Sequence, residues 1–235
     1  MKKAFGLVWA CVLGIAPIAA KATDMAERTK ACESCHGNQG RAGPDGFYPR
    51  LAGKPAGYLY NQMRNFSEDR RHYSMMRRMM APLSPQYQKE MADYFAALQV
   101  PYPPPSNKNA NPSTAQMTRG RQLALQGDPS RQLPACNTCH GENLMGFQPH
   151  VPGLLGLPTA YLGAQLSAWT LGERTTQAPD CMGEVVKHLS PDDAAAVVSW
   201  LAAQEIPTHT KASKPPMLPK DLRCASAPEL HGAMK

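Results

Sequence analysis

Cys32-Glu33-Ser34-Cys35-His36-Gly37 and Cys136-Asn137-Thr138-Cys139-His140-Gly141 are two copies of one pattern, and what that pattern demands decides the fold. Two thiols three positions apart, with histidine beside the second, match the C-x-x-C-H signature of covalent haem attachment. The thiols meet the two vinyl groups of one porphyrin, and the imidazole reaches the iron from the same face. Cys32, Cys35, Cys136 and Cys139 are therefore expected to attach two haem c groups, with His36 and His140 as iron ligands. A zinc site needs two such pairs close enough to complete a tetrahedron. These pairs lie 104 residues apart. A thioredoxin-like redox pair needs a strand before the motif and a helix after it, and no strand pattern precedes Cys32 or Cys136.

The duplication runs beyond the cysteines. Pro49, Leu51, Gly53, Tyr58, Gln62 and Phe66 correspond to Pro152, Leu154, Gly156, Tyr161, Gln165 and Trp169 at a constant offset of 103. Leu83-Ser84-Pro85 matches Leu189-Ser190-Pro191 at an offset of 106. A self-similar period of this kind reads as a tandem repeat of one structural unit. Seven residues before each Leu-Ser-Pro stands a methionine, Met76 in the first half and Met182 in the second. A thioether is a soft neutral ligand that favours ferrous iron and raises the reduction potential of a haem. Met76 and Met182 are the expected second ligands; Met75 and Met79 compete with Met76, because methionine is also a common core filler. Bis-histidine ligation through His72, His150 or His188 is the competing arrangement. None of the three has a histidine at the equivalent place in the other half.

Ser84 and Ser190 can cap helices whose first turn takes the following proline. Tyr87, Met91, Tyr94, Phe95 and Leu98 then recur at helical spacing, as do Ala194, Val197, Val198 and Leu201. Further helices are expected over 56–66 and 159–169. Sustained alternation is absent, so the fold class is all-α.

The chain has 235 residues, 23 of them proline and 18 glycine, which favours short elements and many loops. Two small domains would be marginal without something besides side chains at their centres, a need that a large apolar cofactor meets. Lys2 and Lys3, the apolar run 4–20 and the small-x-small Ala20-Lys21-Ala22 read as a secretory signal peptide, 1–22. The alternative, a membrane anchor, is opposed by its shortness and by Gly14 and Pro17. Cleavage would leave 22 basic and 18 acidic residues, a formal charge of +4 in place of +7. No lysine-rich run or interleaved aromatic patch indicates nucleic acid. Expected domains are 23–100 and 114–205, joined by a proline-rich linker over 101–113 that favours extended backbone and followed by a C-terminal extension, 206–235.

With these motifs and the segments Tyr48-Pro49-Arg50-Leu51-Ala52-Gly53 and Tyr58-Leu59-Tyr60-Asn61-Gln62-Met63, the chain over roughly 23–205 resembles the dihaem cytochrome c4 family. The resemblance implies two tandem class I cytochrome c domains with axial pairs His36/Met76 and His140/Met182. It also implies that the carbonyls of Pro49 and Pro152 accept the free ring N–H of each ligand histidine, a bond that fixes the ring and tunes the iron. Such proteins are periplasmic electron carriers between quinol-oxidising or dehydrogenase complexes and a terminal oxidase.

Two features depart from the family. Cys181 precedes Met182, and the extension carries Cys224. In an oxidising compartment the leftover pair is expected as a Cys181–Cys224 disulfide, stabilising by about 4 kcal/mol in the chain-entropy model and pinning the tail beside the second haem. The alternative is Cys181 as a ligand of the second iron. Arg64, Arg70, Arg71, Arg77 and Arg78 cluster around Met76, either as a surface that steers an acidic partner or as an ordinary solvated helix face.

The resulting expectation is a periplasmic protein that carries single electrons and is not an enzyme, since six-coordinate iron leaves no site for substrate. Two alternatives stay open: a dedicated subunit of a periplasmic dehydrogenase complex, and a dihaem enzyme acting on a small sulfur compound.

Overall fold

Ser84 and Ser190 begin the two longest helices. Their hydroxyls accept the backbone N–H of Tyr87 and Asp193, at 3.2 and 3.1 Å, and proline fills the first turn of each helix. A computed structural model describes residues 24–43, 46–102, 111–207 and 222–231. The expected signal peptide and positions 103–110 of the expected linker lie outside the described residues.

In the first half, α1 (Met25–Arg28), α2 (Lys30–His36), α3 (Ala56–Ser67), α4 (Ser74–Met80) and α5 (Pro85–Ala97) follow in order. The second half repeats the plan with α6 (Thr114–Leu125), α7 (Cys136–His140), α8 (Thr159–Thr170), α9 (Cys181–Lys187) and α10 (Pro191–Ala203). Helix α3 packs on α4 and α5, and α10 packs on α6 and α8. The expected helices over 56–66 and 159–169 correspond to α3 and α8. Helix α6 was not foreseen, because its apolar positions are few and interrupted by Arg119, Gly120, Arg121 and Gln122. It is held by packing. A Cβ on Gly120 would lie 2.1 Å from the carbonyl oxygen of Ala196, so glycine is what lets α6 cross α10 closely.

Each half has its own core. Leu59, Phe66, Met80, Met91 and Phe95 close the first; Leu123, Leu162, Val197, Trp200 and Leu201 close the second. The only strands named among the described residues are a two-residue antiparallel pair, β1 (Gly146–Phe147) and β2 (Val151–Pro152), so the architecture is all-α apart from this ribbon. No described helix is long and apolar enough to cross a membrane.

The halves meet about a local pseudo-twofold. His72 N–H donates to the Glu173 carbonyl at 2.7 Å, and Thr175 N–H donates to the Arg70 carbonyl at 2.6 Å, on either side of an antiparallel bridge between Arg71 and Arg174. Arg50, 2% exposed, donates to the carbonyls of Val100 and Pro101 and lies 4.0 Å over the Tyr102 ring, which fastens the start of the interconnecting segment to the first half.

Candidate haem centres

Both C-x-x-C-H motifs are helical, and each helix ends on its histidine because the next residue is glycine. Gly37 and Gly141 have φ of 73° and 84°, the left-handed region where a side chain is strained. A Cβ on Gly37 would also fall 2.3 Å from the Ala42 carbonyl oxygen. The turn sends the chain back across the histidine. His36 Nδ1 donates to the Pro49 carbonyl and His140 Nδ1 to the Pro152 carbonyl, both at 2.8 Å. Because a carbonyl can only accept, the proton sits on Nδ1 and each Nε2 presents a lone pair. Burial lowers the pKa of both imidazoles, against the opposing effect of the proline carbonyls, so the neutral ligand form is favoured. Burial likewise pushes the Cys136 thiol up to about 12 and that of Cys139 up to about 11, unlike a reactive thiolate pair.

Two cavities open above these helices, enclosing about 1880 Å³ and 1460 Å³ of space including their mouths. Cys32, Cys35 and His36 line the first together with Met75, Met76 and Met79. Cys136, Cys139 and His140 line the second together with Met182. Among the first-half methionines, Met75 is 51% exposed, whereas Met76 and Met79 pack against the core of that half. Two of the three alternative histidines are engaged by carboxylates. His72 Nδ1 lies 2.9 Å from Glu173 Oε2, and His150 Nδ1 lies 2.9 Å from Glu229 Oε2. His188 follows the end of α9 and lines neither cavity.

Cys181 and Cys224 form a disulfide, with Cα atoms 4.8 Å apart. The expected pairing is therefore present, and the alternative of Cys181 as a thiolate ligand falls, because its sulfur is already bonded to sulfur.

One group of residues escaped sequence reasoning. Lys54, Tyr58, Gln62, Tyr161, Gln165 and Arg174 line both cavities, forming a wall shared between them. Arg71 joins the same wall: its guanidinium donates to Gln62 Oε1 at 2.8 Å and Gln165 Oε1 at 2.6 Å, and stacks 4.7 Å over Phe66. Arg71 thus leaves the basic surface cluster to which sequence assigned it. Of that cluster, Arg64 and Arg70 pair with Glu68 and Arg77 pairs with Asp69. The missed signal was the repeat itself, since Arg71 and Arg174 obey the offset of 103.

The wall is rich in uncompensated positive charge. Among the described residues, Lys54, Arg71 and Arg174 form no salt bridge, and Arg174 Nε is buried without a hydrogen-bond partner. Burial pulls the Lys54 ammonium down to about 8. Buried cations of this kind call for anions, and the two propionates of a haem are anions of suitable reach. The cavities, the thiol pairs, the Nε2 lone pairs and the cationic wall all fit that group.

Two attachment helices, each delivering an imidazole to a cavity that also holds a methionine, define a c-type cytochrome with two haems. No family model matches the chain. It is 37% identical over 186 residues to the thiosulfate dehydrogenase electron acceptor of Thiomonas intermedia (strain K12), covering 78% of this chain and 83% of that protein. Its fold matches reduced recombinant cytochrome c4 from Pseudomonas stutzeri with a TM-score of 0.65 and 27% identity, over 77% of this chain and 97% of that one. It also matches the thiosulfate dehydrogenase TsdBA from Marichromatium purpuratum, with a TM-score of 0.64 and 33% identity over 76% of this chain; the match spans only 38% of that longer chain. The chain belongs to the dihaem cytochrome c4 family and is an electron-transfer protein with two covalently bound haem c groups.

Proposed function

We propose that this chain takes single electrons from a thiosulfate-oxidising dehydrogenase in the periplasm and passes them to a terminal acceptor such as an oxidase. Each haem, when bound, supplies one-electron exchange between ferric and ferrous iron. The chain's own residues do the rest. Cys32 and Cys35, with Cys136 and Cys139, would hold the two groups through thioether bonds. His36 with Met76, and His140 with Met182, would ligate the two irons, leaving outer-sphere electron transfer as the chemistry the groups supply. The Pro49 and Pro152 carbonyls fix the two imidazoles by their 2.8 Å hydrogen bonds. Lys54 and Arg174, which line both cavities, and Arg71, which lines the first, would supply positive charge to the haem propionates.

The observation that carries the reading is the shared wall: the same side chains line both cavities, so one layer of side chains divides the spaces that would hold the two haems. That arrangement favours rapid exchange between haems and a carrier that stores two electrons. The choice of donor rests on the names of the relatives. In the test, the oxidised holoprotein is mixed with a thiosulfate dehydrogenase and thiosulfate, and reduction is followed in stopped flow. Reduction of both haems at catalytic amounts of dehydrogenase supports the proposal. Reduction only by a quinol-oxidising complex would replace the donor, and stable copurification with the dehydrogenase would make the chain a dedicated subunit.

A further inference from the structure

The two halves differ at the position beside each proposed ligand methionine. Met75 and Cys181 each precede the proposed ligand methionine and correspond at the offset of 106. Met75, 51% exposed, and Phe47, 53% exposed, both line the first cavity. Cys181 is instead tied to Cys224, which is 3% exposed. Segment 222–230 therefore runs along the second cavity, where Leu222, Cys224, Ser226, Ala227 and Leu230 contribute to its lining.

This segment is anchored at every turn. Cys224, Ala227 and Leu230 pack with Phe147 and Val151 in a small apolar cluster against Cys181. Ala225 N–H donates to the Pro179 carbonyl at 3.1 Å, just ahead of α9. Glu229 accepts from the backbone N–H of His150 at 3.2 Å and pairs with its ring at 2.9 Å. Asn61 of α3 donates to the Ser226 carbonyl at 3.0 Å, so the segment also touches the first half.

We propose that segment 222–230 is a covalent clamp on the second haem centre, with Cys224 as a positioning residue for Met182. The disulfide fastens the residue adjacent to Met182, and the cluster around Leu230 lines the same cavity. Helix α9 is only seven residues long, and a helix that short has little stability of its own. Without the tether it would open by local unfolding and carry Met182 away from the iron. Helix α4 has no such tether and relies on the packing of Met76, Met79 and Met80. The inference rests on the reading of Met182 as ligand.

The experiment uses full-length holoprotein in the ferric state and two readouts. One is the near-infrared charge-transfer band of methionine-ligated ferric haem, counted per haem; the other is titration with imidazole, which competes for the methionine position. In Cys224→Ser, imidazole is expected to bind one haem at least tenfold more tightly than in the unaltered chain. The other haem, unchanged, serves as the internal control for folding. Glu229→Gln, with the disulfide intact, is expected to show a smaller gain at the same haem. If Cys224→Ser fails to incorporate haem, the unaltered holoprotein is reduced with a phosphine, alkylated with iodoacetamide and reoxidised with ferricyanide before the same titration. Unchanged imidazole affinity at both haems, by either route, overturns the clamp. Met182→Ala in the disulfide-intact chain separates the premise: loss of half the band leaves only the clamp on trial, whereas an unaltered band removes Met182 as ligand.

Discussion

Arg71 and Arg174, equivalent residues of the two halves, lie together across the interface and share the same two acceptors. Arg71 donates to Gln62 and Gln165 at 2.8 and 2.6 Å, and Arg174 donates to Gln165 and Gln62 at 2.7 and 3.0 Å. Two like charges side by side repel, and neither has a carboxylate among the described residues. The pair persists because the glutamine oxygens, the Tyr161 hydroxyl 3.3 Å from Arg71 and the Trp169 ring 3.8 Å beneath Arg174 take up part of the charge. Haem propionates reaching this wall would complete the neutralisation.

Removing one of these charges makes ferric iron easier to keep. Arg174→Gln is expected to lower the reduction potential of at least one haem by roughly 50 mV, about 1 kcal/mol for one electron, from Coulomb's law at an effective dielectric near 20. Arg174→Lys, which keeps the charge but loses the fork, is expected to fall between. Spectroelectrochemical titration of the two variants reads this directly, and unchanged potentials would place the propionates elsewhere.

The first-half ligand is decided among three neighbours. Met76→Ala is expected to remove about half of the ferric methionine band, and Met75→Ala, at an exposed position, to leave it intact. Met79→Ala is expected to keep the band but to destabilise that half by about 1–3 kcal/mol through lost packing, measured by thermal unfolding.

Acid lability has a local source in the second half. Burial alone would raise the pKa of the Asp193 carboxyl, yet the hydrogen bonds from Arg119 and Arg131 outweigh it and hold the group at about 2. A value depressed in the folded state stabilises fully above the unfolded carboxylate value near 4. That stabilisation disappears as pH falls from about 4 to about 2. Asp193→Asn is expected to lower stability by about 2 kcal/mol at pH 7 in guanidinium titrations, with the difference vanishing near pH 2.

The crossing of α6 and α10 tolerates no side chain at Gly120. Gly120→Ala would place a methyl against the Ala196 carbonyl and the Trp200 side chain, with atoms at 2.1 and 2.7 Å. A loss of about 3 kcal/mol or more is expected, although alanine favours helix over glycine by about 1 kcal/mol. A more stable variant would mean that the helices separate without cost.

Legibility in the sequence followed how local each cause is. The attachment motifs occupy five consecutive residues, and the caps at Ser84 and Ser190 need only the next three, so chemistry and helix starts were readable directly. Helix α6 was not, because its burial is created by α10, some 70 residues later. The charges around Met76 were legible as a cluster, but not their direction: Arg71 turns inward to a wall that exists only once two halves pack. The Cys181–Cys224 pairing followed from counting cysteines, whereas the clamp it forms needs the positions of Phe147, Val151 and Leu230.

By itself the sequence determined the cofactor, its number, the tandem all-α plan and the candidate ligands, because covalent attachment and helix capping are short-range constraints written in neighbouring residues. Tertiary structure alone decided that the two cavities share a cationic wall, and that a disulfide-tethered segment lines the second cavity and not the first. Both depend on contacts between residues far apart in sequence, such as Gln62 with Arg174 and Asn61 with Ser226, whose energy appears only when the chain has closed on itself.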